Sequence, residues 1–223
     1  MDTQASTESP VDCTVDYLEL LVEVGRQAGL DAVGAAGAEP FTGVRSELER
    51  RRKAGLHGGM QFTYRNPERS TTPARILPGA RSLVVGALRT AAPRLSEVAP
   101  GRLRIAAYAR HDYYATLREA LGRVARRLEA DGWQARVVAD DNALVDRPAA
   151  VRAGIGWYGK NANVLIPGRG SWFVLGSVVT DAPLPEGQPM GDGCGSCQRC
   201  LDSCPTGAIV APGVIDARRC LAW

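Results

Sequence analysis

The chain has 223 residues, 45% hydrophobic and 23% charged, with a formal net charge of +3. That apolar share builds a core and excludes wholesale disorder, and at about 150 residues per domain the length allows one large domain, alone or with a small module. No run approaches the ~18 apolar residues of a membrane span, and the polar, net acidic start MDTQASTESPVDCTVD lacks a secretory pattern, so a cytoplasmic protein without membrane contact is expected. Arginine supplies nearly all the positive charge, since Lys53 and Lys160 are the only lysines. A compositional bias of the genome accounts for that; a local phosphate-binding surface is the functional alternative.

Residues 1–14 read as a tail. From Val15 to Leu30 the apolar positions Val15, Leu18, Leu21, Val22 and Ala28 fit one helical face, which Gly29 ends. A short strand is expected within Asp31–Ala38, then a helix over 43–54 with a thin apolar stripe, then a loop at Gly55, Gly58 and Gly59. Ser82–Leu88 (SLVVGAL) reads as a buried strand, and 90–101 as a Pro-containing connector. The clearest helix spans Asp112 to Ala130: Leu117, Leu121, Val124 and Leu128 recur at helical spacing and Asp131-Gly132 stops it. Trp133–Ala139 reads as a strand, Pro148–Ala153 as a short helix with Pro in its first turn, and Ser171–Thr180 as a strand. Helices alternate with strands, so an α/β (α+β) layer fold is expected. A Pro- and Gly-rich boundary at 182–193 separates it from a cysteine module.

Five of the six cysteines lie in that module: Cys194, Cys197, Cys200, Cys204 and Cys220; Cys13 stands apart in the leader. Residues 194–205 read CGSCQRCLDSCP, a C-x2-C-x2-C-x3-C-P run. In such a run three thiolates wrap one [4Fe–4S] cluster and the fourth, before Pro, points to a second. The alternative, structural zinc, uses two separated C-x-x-C knuckles. Five thiolates do not fill two sites of four. Either one cluster forms from Cys194, Cys197, Cys200 and Cys204, or the chain is a fragment; the fragment reading is preferred.

Seven blocks together carry a more specific signal: GLHGGM (55–60), RNPERSTTPARILPGARSLVV (65–85), YARHDYY (108–114), RAGIGWYGKN (152–161), GSWFVLGSVVTDAPL (170–184), CGSCQRCLDSCPTGAI (194–209) and DARRC (216–220). In these the chain resembles the epoxyqueuosine reductases. The resemblance implies a cobalamin-binding reductase domain at 15–184 and an incomplete ferredoxin-like 4Fe-4S module at 185–223. It further implies one or two [4Fe-4S] clusters held by the five module cysteines. The reaction it implies is reduction of epoxyqueuosine to queuosine at the tRNA wobble position, by attack of reduced cobalamin on the epoxide. The implied partners are tRNA carrying epoxyqueuosine and an external low-potential electron donor.

Counted from the AGIGW block, the resemblance puts the family's proton-donating aspartate at Asp140, with Asp141 as its neighbour and rival. Adjacent carboxylates on extended chain point to opposite faces, so only one is expected in the pocket, protonated by burial. A plain turn at Asp140-Asp141-Asn142 is the structural alternative. Counted from the same blocks, the resemblance puts corrinoid-contacting positions near Ile105, Asp140, Val164, Leu175 and Ala222. One departure is Ser70, which stands where the family commonly has Arg, with Arg69 one residue earlier. Lys160-Asn161 is expected to orient a turn or touch RNA, and His57 and His111 to be loop or surface residues. A reductive-dehalogenase-like cobalamin reductase and a non-catalytic electron-transfer module are the competing functions.

Overall fold

The computed structural model describes residues 12–90, 100–103 and 105–222. Residues 1–11 of the expected tail and 91–99 of the expected connector lie outside them. In chain order the elements are α1 (Val15–Gln27), β1 (Ala32–Gly37), α2 (Thr42–Lys53), α3 (Phe62–Arg65), α4 (Pro67–Ser70), β2 (Ser82–Arg89), α5 (Tyr113–Ala130), β3 (Ala135–Ala139) and α6 (Asp146–Arg152). β4 (Trp157–Tyr158), β5 (Val164–Leu165), β6 (Phe173–Thr180), α7 (Arg199–Asp202), β7 (Ile209–Ala211) and β8 (Val214–Ile215) follow.

The main sheet has the order β1-β2-β6-β3, and every pairing in it is antiparallel. Helices cover both faces, so the architecture is the α+β form of the expected class. Along β2 successive residues serve different layers. Val84 and Leu88 pack with α1 and α5, while Leu83, Val85 and Ala87 pack with α6 and the segment after it. A strand covered twice reads as the unbroken apolar run SLVVGAL rather than as alternation.

α5 is the main helix of its layer. The Asp112 carboxylate caps it by accepting the Ala115 N–H at 2.9 Å, and Leu117, Leu121, Val124 and Leu128 are fully buried. Gly86 and Gly176 are direct partners in the β2–β6 ladder. A Cβ at Gly86 would lie 2.9 Å from Leu121 Cδ2, and one at Gly176 would lie 2.8 Å from Leu121 Cδ1. Two missing side chains thus make the slot that receives Leu121.

α1 keeps Leu18, Leu21 and, at its C-cap, Ala28 of the expected face against the core but departs from the rest of it. Its core side is Tyr17, Leu21 and Gly25, while Val15 is exposed and Val22 only half-buried. Tyr17 decides the rotation: its ring joins the core and its hydroxyl donates to Asp131 Oδ2 at 2.8 Å, just past α5. Asp131 also accepts from Arg127 Nε at 2.6 Å.

The Pro- and Gly-rich segment contains neither helix nor strand, yet it packs against the domain. Gly187 N–H donates to Ala35 O of β1 at 2.8 Å. A Cβ at Gly193 would strike the Trp157 indole at 2.5 Å, so the chain lies against that ring. The cysteine module carries the β7–β8 hairpin and is held by Ala217 N–H to Leu56 O at 2.8 Å and Arg51 Nη2 to Gly213 O at 3.2 Å.

Candidate active site and cysteine centre

Asp140 follows the last residue of β3. Ala139 pairs with Gly176, so Asp140 emerges beside the Leu175 end of β6. Its φ is +56°, left-handed rather than extended. The opposite-face argument for Asp140 and Asp141 therefore fails, because the chain turns between them. Asp141 Oδ1 accepts Ala143 N–H at 2.8 Å, an Asx turn that occupies its carboxylate with local structure. Asp140 is exposed and projects from this turn.

The enclosed acid expected at Asp140 is instead Asp146, the first residue of α6. Its side chain keeps partial exposure, but Oδ1 is buried and has no hydrogen-bond partner among the described residues. Burial pushes this carboxyl up to about 8; the Arg147 guanidinium opposes the rise, and the charges of Asp140 and Asp141 add to it. No motif marked Asp146, because a helix-start Asp before Arg-Pro reads as a cap.

Aromatic and cationic side chains surround these acids. Burial raises the Tyr64 and Tyr114 hydroxyls above their ordinary range; Asp140 and Asp146 add to the rise at Tyr114, while Arg147 works against it at both. Tyr158 rises for the same first cause, and Arg147 again opposes. Arg147 thus lies in electrostatic reach of α3, α5 and β4. Arg118 donates to Ala139 O at 3.2 Å and sits 5.9 Å over the Tyr114 ring, bracing the strand end before Asp140.

The other positions expected to contact the corrinoid divide. Leu175 is half-buried at the Asp140 end of β6, and Val164, 5% exposed, lies in the second core layer that Leu175 packs against. Ile105 and Ala222 are exposed. His111 is exposed, but His57 is half-buried, packs against Tyr64 and has an enclosed Nδ1 without a hydrogen-bond partner among the described residues. A cavity of about 490 Å³ opens at the other end of the sheet, near Ser82, Glu39 and Glu186, away from Asp140.

None of the module thiols is in a disulfide. Cys204 Sγ accepts Ala208 N–H at 3.2 Å. Backbone N–H groups of Ile209, then Ala208 and Thr206, hold its thiol below the ordinary value, against a smaller opposing effect of burial. Turned N–H groups of this kind suit a sulfur carrying negative charge. Among the described residues no three His, Cys, Asp or Glu side chains converge on one metal ion. The donors the module offers are cysteine sulfurs, and thiolates suit the soft iron of a cluster, so the chemistry of the donor set fits that group.

Residues 193–223 match the family model described as 4Fe-4S double cluster binding domain, and residues 70–141 match epoxyqueuosine reductase QueG, DUF1730. The second match ends one residue past Asp140. An epoxyqueuosine reductase of Synechococcus sp. (strain RCC307) is 36% identical over 225 residues, covering 98% of this chain and 68% of that protein. The chain belongs to the epoxyqueuosine reductase family. The Bacillus cereus epoxyqueuosine reductase is 33% identical over 94% of this chain, which spans 57% of that protein's length. A solved epoxyqueuosine reductase with an epoxyqueuosine-modified tRNA-Tyr stem loop superposes with a TM-score of 0.79 at 32% identity, covering 92% of this chain and 56% of that one. A catabolic reductive dehalogenase shares the fold, with a TM-score of 0.51 at 17% identity over 95% of this chain and 26% of that one. Among the described residues no helix is long and apolar enough to cross a membrane.

Proposed function

We propose that this chain carries the reductase part of an epoxyqueuosine reductase, converting epoxyqueuosine to queuosine at the tRNA wobble position. One observation carries the reading: kinship to proteins of that activity extends over 98% of the chain, from the Asp140 layer through the cysteine module. The domain division is residues 15–184 for substrate and cobalamin and 185–223 for iron–sulfur clusters. A tRNA substrate puts the protein in the cytoplasm, with an external low-potential donor supplying electrons.

Bound cobalamin, when reduced, supplies the nucleophile for the strained epoxide, and the clusters supply electrons at low potential. The chain's own residues do the rest. Asp140, exposed on its left-handed turn, delivers a proton to the epoxide oxygen as the C–O bond opens. Asp146, whose carboxyl burial pushes up to about 8, is the enclosed acid beside this turn. Its unpartnered Oδ1 suits a cobalamin amide, which is the fit the structure offers that cofactor. Leu175 and Val164 would furnish apolar wall to the cofactor, and the exposed Ile105 and Ala222 would be further contacts to it. Cys194, Cys197, Cys200, Cys204 and Cys220 supply the thiolates.

The test is an anaerobic assay on an epoxyqueuosine-modified tRNA stem loop with cobalamin and a strong reductant. Queuosine is expected from the wild type and none from Asp140→Asn. A chain that takes up iron but leaves the cobalamin spectrum and the RNA unchanged is an electron carrier, and the proposal is then wrong.

A further inference from the structure

Lys160 is one of two lysines in a chain rich in arginine, and it sits where two parts of the protein meet. It ends the GWYGK stretch after β4. Its backbone carbonyl accepts Gly213 N–H at 2.9 Å, from the β7–β8 turn. Its ammonium donates to Gly195 O at 2.7 Å and to Cys197 O at 3.0 Å. Both acceptors belong to the first thiolate loop, and Gly195 takes a φ of +49° there.

A trans peptide sets each C=O antiparallel to the N–H that follows it. Drawing the carbonyls of Gly195 and Cys197 outward onto Lys160 therefore turns the N–H groups of Ser196 and Gln198 toward the inside of the loop. That is the side on which Cys194, Cys197 and Cys200 would hold inorganic sulfide. Asp192 brings the opposite charge to this loop, because its Oδ1 accepts Cys194 N–H at 2.8 Å. An iron–sulfur cluster with thiolate ligands is anionic and gains one more negative charge when reduced from 2+ to 1+. A fixed cation and inward N–H dipoles favour the reduced form, more so in a low-dielectric setting.

We propose that Lys160 sets the reduction potential of the cluster at Cys194, Cys197 and Cys200, by clamping the carbonyls of that loop and placing its charge beside it. The inference rests on the cluster assignment but not on Asp140 or on turnover. Lys160 is a positioning residue: it touches the loop, not substrate, and the electron comes from an external reductant.

The experiment compares wild type, Lys160→Gln and Lys160→Arg after anaerobic loading with iron and sulfide. Iron content is measured, and the one-electron midpoint is read by dithionite titration with electron paramagnetic resonance. Lys160→Gln is expected to hold the wild-type iron content and to reduce with an equilibrium constant about tenfold lower, or about 59 mV for one electron. Lys160→Arg, which keeps the charge and both donors, is expected to stay near wild type. An iron-replete Lys160→Gln protein with an unshifted midpoint overturns the proposal. If Lys160→Gln fails to load, Lys160→Arg decides: wild-type loading and midpoint support the proposal, and a variant as defective as Gln overturns it. A wild-type chain that takes up no iron instead refutes the cluster assignment.

Discussion

The Ser70 hydroxyl donates to the backbone carbonyl of Asn142, tying the end of α4 to the turn that carries Asp140. Ser70 is 2% exposed. Asn66 O, at 3.2 Å, competes for the single hydroxyl proton. In Ser70→Ala the Asn142 carbonyl loses a buried donor. The expected cost is about 0.5–1.5 kcal/mol in urea unfolding, with faster hydrogen exchange at residues 140–143. Exchange at wild-type rates in that turn contradicts the tether.

Asp146 predicts a pH dependence of stability. Its carboxyl rises from 3.8 to about 8, chiefly through burial. Between those values the unfolded chain has released the proton and the native state has kept it. The native state then binds more protons, and stability falls as pH rises, by at most about 1.4 kcal/mol per unit from this group. The contribution is fully present below the lower value and spent above the upper one. Asp146→Asn stays neutral throughout, so its stability relative to wild type should grow across this window. Urea unfolding of both proteins at a series of pH values checks this; parallel curves count against the enclosed carboxyl.

The Leu121 slot predicts coupled costs. Leu121→Ala should lose about 2–5 kcal/mol by leaving a cavity. Gly176→Ala should lose about 1–3 kcal/mol by overpacking, since its Cβ meets Leu121 Cδ1, Ala139 Cβ and Val138 O within 3.0 Å. The double variant should cost less than the sum, because removing Leu121 vacates part of the space the new methyl needs. Strict additivity would mean that Leu121 is not what fills the slot.

The cysteines predict unequal dependence of iron uptake. Cys204→Ser removes a sulfur to which backbone N–H groups are already turned, and the loaded chain should lose iron. Cys13→Ser should load as wild type does, since Cys13 packs against the α1–α5 core layer. Iron and sulfide analysis reads both; an unchanged iron content in Cys204→Ser removes that residue from the ligand set.

Where each layer lies was readable in the residues themselves. The α5 heptad-like spacing, the twice-covered run of β2 and the 2-2-3 cysteine spacing are local patterns, each enforced by backbone periodicity or by the reach of a thiolate. The short β4–β5 and β7–β8 hairpins were not readable, being too brief for any period to register. The rotation of α1 was missed because it depends on a hydroxyl partner 114 residues away.

The same division runs through the site. The cysteine spacing by itself named the thiolates, whereas Asp140 and its neighbour were named only through the family resemblance, counted along the chain from the AGIGW block. Only the fold decided that Asp140 stands on a left-handed turn, that the enclosed acid is Asp146, and that Lys160 reaches the first thiolate loop. Burial and charge proximity arise when distant segments pack, and no local spacing encodes them.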